Sequence, residues 1–368
     1  MPSDVVLRSG FDSYSRERIM EALREMIPTA GGWPVEAAPG ARILLKVNML
    51  SAKAPERAIT THPEIVAAVA LLLREKGCTV LVGDSPGGAA KGVERYWRNC
   101  GYMAVAEELG IELVNFESSG SSKRTIHARE YDIAAPVLDA DCVISLCKFK
   151  THAYTRLTNA VKNAFGIIPG FGKALQHSYA LRPSELSERI VDIWELSGFR
   201  LTIMDALLTM EGKGPSTDGT PRWDGILGVA RNGAELDMVM TRLAGLRPLD
   251  LHTSRIALER GLSRAPEEIS VQGLEGCSLP GFRVPGVMLY NLLPPFAGAL
   301  VRLLFKRPPK ATADCNGCGT CAAGCPVGAI EIIKGMARMD RRKCILCLCC
   351  HEICPRQAVR IHVPFDRH

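Results

Sequence analysis

The sequence predicts an α/β protein, a mostly parallel sheet with helices on both faces, followed by a small carboxy-terminal α+β domain rich in cysteine. Three observations predict it. From residue 40 to about 275 strand-like and helix-like segments alternate, the pattern of βαβ units. No run of about 20 apolar residues interrupts them. Nine of the 14 cysteines fall between Cys315 and Cys354. With 368 residues, 47% hydrophobic and 23% charged, the chain can bury a sizeable core and divide into two or three units. The expected boundaries are 1–283 for the α/β domain, 284–311 for an apolar proline-containing linker or docking helix, and 312–368 for the cysteine-rich domain.

Taken in order, "ARILLKVN" (41–48) reads as a buried strand and "PEIVAAVALLLREKG" (63–77) as a helix. Pro63 suits a helix start, where its missing N–H is harmless, and Gly77 suits its stop. "TVLVGD" (79–84) completes a βαβ unit. Residues 93–110 continue as helix broken near Gly101, 111–116 and 142–150 as strands, and 155–166 and 183–198 as helices. A strand at 200–206 and a helix at 233–245 close the pattern. Ligands of such a sheet are expected at the carboxyl ends of its strands. Residues 284–310 then break the alternation; a linker docked by its apolar face is the plainer expectation, and contact of 284–305 with a membrane surface the alternative.

The first residues lack the apolar run of a secretory signal, so a cytoplasmic location is the default expectation, and there thiols stay reduced. Cys78, Cys100, Cys142, Cys147 and Cys277 lie scattered among apolar residues and read as buried spectators. The formal charge is +6, and from Lys306 onward eleven Lys or Arg face five Asp or Glu, so the tail carries the whole excess. Without interleaved aromatics, this points to an acidic redox partner or an anionic ligand and away from nucleic acid.

"CNGCGTCAAGCP" (315–326) and "CILCLCCHEICP" (344–355) each hold the spacing C-x2-C-x2-C-x3-C-P. Three closely spaced thiolates wrap one iron-sulfur cube, and the fourth reaches the other. Cys315, Cys318, Cys321 and Cys354 are expected around one 4Fe-4S cluster, and Cys344, Cys347, Cys350 and Cys325 around a second. Cys349 is out of register and surplus. Zinc is the alternative, but it favours four ligands in paired C-x2-C knuckles and leaves two sets of four with trailing prolines unexplained. Basic Arg341, Arg342 and Lys343 favour the reduced, more negative cluster.

In the α/β domain four polar groups stand where strands are expected to stop. The first is Lys46 and Asn48, with Thr61 and His62 before the next helix. Hydroxyls and amides at a helix start suit an anion, though a simple cap is the plainer reading. The second is "GDSPGG" (83–88) with Asp84 and Ser85; it fits neither the dinucleotide pattern nor the P-loop, since Ala89 stands where lysine is required. The third is "CKFKTHAYTRLTNAVKNAFG" (147–166), with Lys150, His152, Lys162 and Asn163. The fourth is "MDALLTMEGKGP" (204–215), where Asp205 ends a strand and Glu211 enters a turn, two carboxylates suited to a metal or to acid-base work.

These motifs, with "TTHPEIV" and "GAELDMVMTRLAG", resemble the domain of unknown function 362 family over residues 46–245, and residues 312–363 resemble the bacterial two-cluster ferredoxins. The resemblance implies an α/β domain fused to a ferredoxin-like one in a redox setting, and brings no agreed reaction. The expected function is an iron-sulfur oxidoreductase relaying single electrons from an external ferredoxin, flavodoxin or reductase to an anionic substrate or cofactor. Lys46, Lys150, His152 and Lys162 are expected to hold the anion, and His152 to supply the proton. Its rivals are an electron-transfer subunit that docks a partner enzyme, and a non-redox enzyme with the clusters as sensors. Oligomeric state and any flavin stay open.

Overall fold

The computed structural model describes residues 2–87, 92–152, 154–180, 182–215, 219–286 and 308–360. The segment expected to link or dock (284–311) lies mostly outside them, at 287–307.

The sheet forms around strands that are apolar on both faces. Its members are β1 (Val5–Arg8), β2 (Arg42–Lys46), β3 (Thr79–Asp84) and β4 (Glu112–Asn115). A separate hairpin of β5 (Ser121–Ile126) and β6 (Arg129–Ala134) follows, and then β7 (Cys142–His152), β8 (Arg156–Leu157), β9 (Leu201–Gly212), β10 (Gly219–Ala230) and β11 (Val271–Gln272). Their order is β11-β1-β10-β9-β7-β2-β3-β4, with β8 paired to β7 off this path. β2 runs parallel to both β3 and β7, β3 to β4, and β7 to β9. From β2 the chain steps one way to β3 and β4 and later returns on the other side as β7, so a crevice opens at the carboxyl ends of β2 and β7.

Alternation along the strands fixes which helices cover which face. Ile43 and Leu45 share one core with α1 (Arg16–Thr29), α2 (Pro63–Glu75), α3 (Glu94–Asn99) and α4 (Tyr102–Leu109). Leu44 points the other way, into a core with α5 (Ala135–Asp139), α6 (Asn159–Asn163), α8 (Pro183–Ser197), α9 (Gly233–Leu243) and α10 (His252–Glu259). Each such fully buried leucine contributes about 1.5–3 kcal/mol of transfer energy. α7 (Gly172–Tyr179) packs against α8 through its Ala174 and Gln176 side, and its Phe171, Leu175 and Tyr179 side is exposed.

Two elements depart from the sequence reading. The strand expected to stop at 206 continues to Gly212, because its apolar run finds an antiparallel partner in β10 from Ala230 back to Gly219. Asp205 is therefore inside a strand, paired with Leu227. The helix expected over 155–166 is instead β8, folded back on β7, then the five-residue α6 and a 3-10 turn from Ala164 to Ile167.

The cysteine-rich domain repeats itself. α11 (Thr320–Ala323) and α12 (Cys349–Glu352) lie within the two cysteine motifs, β12 (Lys310–Ala311) pairs with β15 (Val359–Arg360), and β13 (Ile330–Ile333) with β14 (Met336–Met339). The first motif winds through left-handed Gly317 and Gly319; the second takes the same turns at Leu346 and Leu348, with φ of 59° and 65°. Leucine is disfavoured by about 1–2 kcal/mol at each such position.

Candidate active site between the sheet and the cluster domain

Two small hollows in the carboxy-terminal domain gather the cysteines of the two motifs. One is lined by Cys315, Cys318, Cys321 and Cys354, the other by Cys325, Cys344, Cys347 and Cys350. Backbone amides turn toward the sulfurs in matched positions: Ala329 N donates to Cys325 Sγ and Ala358 N to Cys354 Sγ, both at 3.2 Å, and Leu346 N to Cys344 Sγ at 3.4 Å. Burial, with Cys354, Cys315 and Cys318 close by, pushes the Cys321 thiol up to about 11. Four sulfurs gathered round each hollow, with backbone amides turned toward them, are a donor set that fits the 4Fe-4S group.

A larger cleft, with a cavity volume of about 80 Å³, lies between this domain and the sheet. From the sheet side it is lined by Asn48, Asp84, Ser85, Lys150, Lys162 and Asn163. α7 adds Lys173 and His177, and the cluster domain adds Gly324, Cys349 and Ile353. Cys349 also lines the hollow of Cys325, Cys344, Cys347 and Cys350, so the surplus thiol is the wall between hollow and cleft. Lys53 ties the two domains, its Nζ donating to the Pro355 carbonyl at 3.3 Å.

Beneath the cleft, Lys46 is fully buried with its Nζ 2.7 Å from Asp84 Oδ1. Burial pushes the lysine down and the carboxylate up, and each holds the other back. Met49 N donates to Asp84 Oδ2 at 2.6 Å, fixing the loop after β2. Lys150 Nζ donates to Asn48 Oδ1 at 2.6 Å and to the Ile59 carbonyl, and Asn48 Nδ2 to Asn163 Oδ1 at 3.1 Å, so the floor is a hydrogen-bonded lattice. Asp237 on α9 accepts from Ala160 N at 2.7 Å and Val161 N at 3.0 Å, aiming the helix that carries Lys162 and Asn163. Lys162 Nζ stands 5.7 Å from the Phe165 ring centroid, and His177 meets the same ring edge-on at 5.7 Å.

Six of the expected side chains thus line the cleft, and the other six do not. Lys46 acts from below, through Asp84. Thr61 Oγ1 accepts from Asn48 N at 3.0 Å and donates to the Leu146 carbonyl at 2.7 Å, serving the backbone. His62 caps α2, accepting from Glu64 N at 3.2 Å, and stacks on Tyr14 at 3.5 Å. His152 is buried, its Nδ1 accepting from Tyr154 N at 3.1 Å and Thr155 N at 3.2 Å, so it is placed to hold a turn. Asp205 pairs with Lys148 at 2.8 Å and accepts from Tyr14 at 2.8 Å and His62 N at 2.9 Å. Glu211 is tied to Arg283 at 2.7 Å. The residue missed by sequence reading is Lys173: nothing in "GFGKALQHSYA" marks it, since the apolar side of α7 faces solvent.

Comparison with known proteins places this architecture. Residues 43–242 match the family described as Domain of unknown function (DUF362). The chain belongs to that family. Its DUF362 domain is followed by a match to the 4Fe-4S dicluster domain at residues 308–355, so the carboxy-terminal domain is an iron-sulfur electron-transfer domain. The thylakoid-associated protein sll1697 of Synechocystis sp. is 34% identical over 267 residues, 72% of this chain and 81% of its own length. A component of the ion-translocating oxidoreductase complex of Methanosarcina acetivorans is 40% identical over 47 residues, 13% of this chain and 18% of its own. The lactate racemase apoprotein of Thermoanaerobacterium thermosaccharolyticum is 12% identical with a TM-score of 0.42, covering 63% of this chain and 55% of its own, too low to carry an argument. Among the described residues no helix is long and apolar enough to cross a membrane.

Proposed function

We propose that this chain is an iron-sulfur oxidoreductase in which two 4Fe-4S clusters pass single electrons to an anionic substrate or cofactor held in the cleft. The observation that carries the reading is Cys349, a wall of both the cleft and one four-cysteine hollow. When bound, the clusters supply one-electron chemistry, and an external ferredoxin, flavodoxin or reductase supplies the electrons. The chain's own groups do the rest. Lys150, Lys162 and Lys173 offer convergent positive charge to a carboxylate or phosphate, while Asn48 and Asn163 hold the floor rigid. Lys46 and Asp84 face each other as a buried pair at 2.7 Å and largely offset one another, so the lysines supply most of the positive charge on the cleft wall.

A concave, lysine-lined cleft supports catalysis over the rival of a docking subunit, for which a flat charged face is expected. The test is anaerobic purification with spectroscopy before and after dithionite. About eight irons and two reducible cubanes per chain are expected. Two zincs, or a colourless protein, overturn the proposal.

A further inference from the structure

We infer that Glu117, Ser85 and Lys173 form a proton relay from the protein surface into the cleft, with Lys173 the group that protonates whatever is reduced there. The inference rests on the reading of the cleft as the place where electrons arrive.

The chain of contacts is continuous. Lys173 Nζ donates to Ser85 Oγ and, at 2.9 Å, to the Ile168 carbonyl; Ser85 Oγ donates to Glu117 Oε1. Lys173 and Ser85 line the cleft, whereas Glu117 is not among its lining residues and is partly exposed just beyond β4. Ser85 is anchored by its own amide to the Gly166 carbonyl at 3.1 Å, and Glu117 by its amide to Asn115 Oδ1 at 3.0 Å. A serine hydroxyl donates and accepts at once, so it passes a proton without itself carrying charge.

The electrostatics suit the role. Burial is the main influence on the Lys173 ammonium and brings it down to about 8, against the pull of Glu117 and Asp84; Lys46 pushes the same way as burial, and Cys349 across the cleft opposes it. An amine titrating there gives up a proton near neutral pH far more readily than an ordinary lysine. His152 does not line the cleft, and His177 lines it edge-on to the Phe165 ring.

The transfer balances. For each electron delivered by the external carrier, one N–H bond of Lys173 breaks and its proton joins the reduced group, leaving a neutral amine. The amine takes the Ser85 hydroxyl proton while Ser85 takes one from a water molecule by way of the Glu117 carboxylate, and hydroxide is left in the solvent. One carrier is oxidised per electron and proton delivered.

The test mixes reconstituted holoprotein with reduced methyl viologen in weak buffer at pH 8.5 and follows a pH indicator by stopped flow. Negative charge arriving beside the cleft draws a proton onto Lys173. Uptake is expected in the wild type, absent in Lys173→Met, and at least roughly tenfold slower in Glu117→Gln and Ser85→Ala at equal iron content. Equal rates in all four overturn the relay while leaving the two reducible cubanes, and with them the proposed function, intact. A second measurement does not depend on reduction: competitive acetylation of Lys173 against pH, read by mass spectrometry. Its midpoint is expected to fall by about one unit in Glu117→Gln, which loses the stabilising anion. An unmoved midpoint refutes the coupling.

Discussion

Replacing Gly166 by alanine is expected to unseat the buried charge pair beneath the cleft. A Cβ at this position lies 2.0 Å from Asp84 Oδ1 and 2.7 Å from Lys46 Nζ. Neither group can retreat cheaply. Lys46 Nζ is also held by the Val47 carbonyl at 2.7 Å and the Asn163 carbonyl at 3.1 Å, and Asp84 Oδ2 by Met49 N at 2.6 Å. Ordinary contact needs about 3.4 Å or more, so the carboxylate must move by over an ångström and the 2.7 Å pair opens. Overpacking alone costs about 1–3 kcal/mol, but separating a buried pair costs about 3–5, and the second effect dominates. Urea unfolding read by tryptophan fluorescence measures it, since Trp33, Trp97, Trp194 and Trp223 all lie in the α/β domain. Gly286→Ala is the control, because no atom of the described residues lies within 4 Å of its added Cβ. Gly166→Ala within about 0.5 kcal/mol of that control refutes the argument. The double change Lys46→Met with Asp84→Leu is expected to cost less than either single change, which strands one buried charge.

Two further predictions concern His62 and Cys349. Burial, with Lys148 nearby, pushes the His62 imidazole down to about 4, against the pull of Asp205. Above pH 6.5 the ring is neutral folded and unfolded, so it adds no pH dependence; between pH 6.5 and 4 only the unfolded chain binds the proton, and stability falls. The loss is about 2 kcal/mol after allowing for partial exposure. His62→Asn keeps a capping side chain and is expected to flatten that part of the profile; parallel unfolding midpoints at pH 7 and 4.5 in the two proteins contradict this. Cys349→Ser is expected to leave the iron content unchanged, whereas Cys350→Ser removes a ligand and lowers it; iron analysis of the anaerobic proteins checks both, and a loss of iron in Cys349→Ser assigns it to ligation.

Much of the scaffold was readable because its signals are local. Pro63 and Gly77 bracket α2, and Gly101, in the left-handed region with φ of 82°, divides α3 from α4 where the sequence breaks. The two fours of cysteines follow from spacing, since C-x2-C-x2-C fixes three sulfurs on one turn and the prolines mark the fourth. Asn48, Asp84, Ser85, Lys150, Lys162 and Asn163 reached the cleft because they stand at or just beyond the carboxyl ends of parallel strands, or on the helix after β7. Asp205 and Glu211 did not, because β10 extends β9 past the expected stop, and long-range strand pairing leaves no local mark. His152 looked like a proton donor by residue type, but the turn into β8 uses its Nδ1 as an acceptor for two amides. Lys173 was hidden by α7 itself, whose periodicity argues for burying Phe171, Leu175 and Tyr179, the side that the fold leaves exposed.

The central claim is that an anion in the lysine cleft sits against a reducible cluster. Pulsed electron-nuclear double resonance on the dithionite-reduced holoprotein, with inorganic pyrophosphate at saturation, tests it most directly. A phosphorus hyperfine coupling to the cluster spin is expected, and is expected to disappear in Lys162→Ala at unchanged iron content. Pyrophosphate that fails to bind, or binds with no phosphorus coupling while both cubanes are reduced, contradicts it.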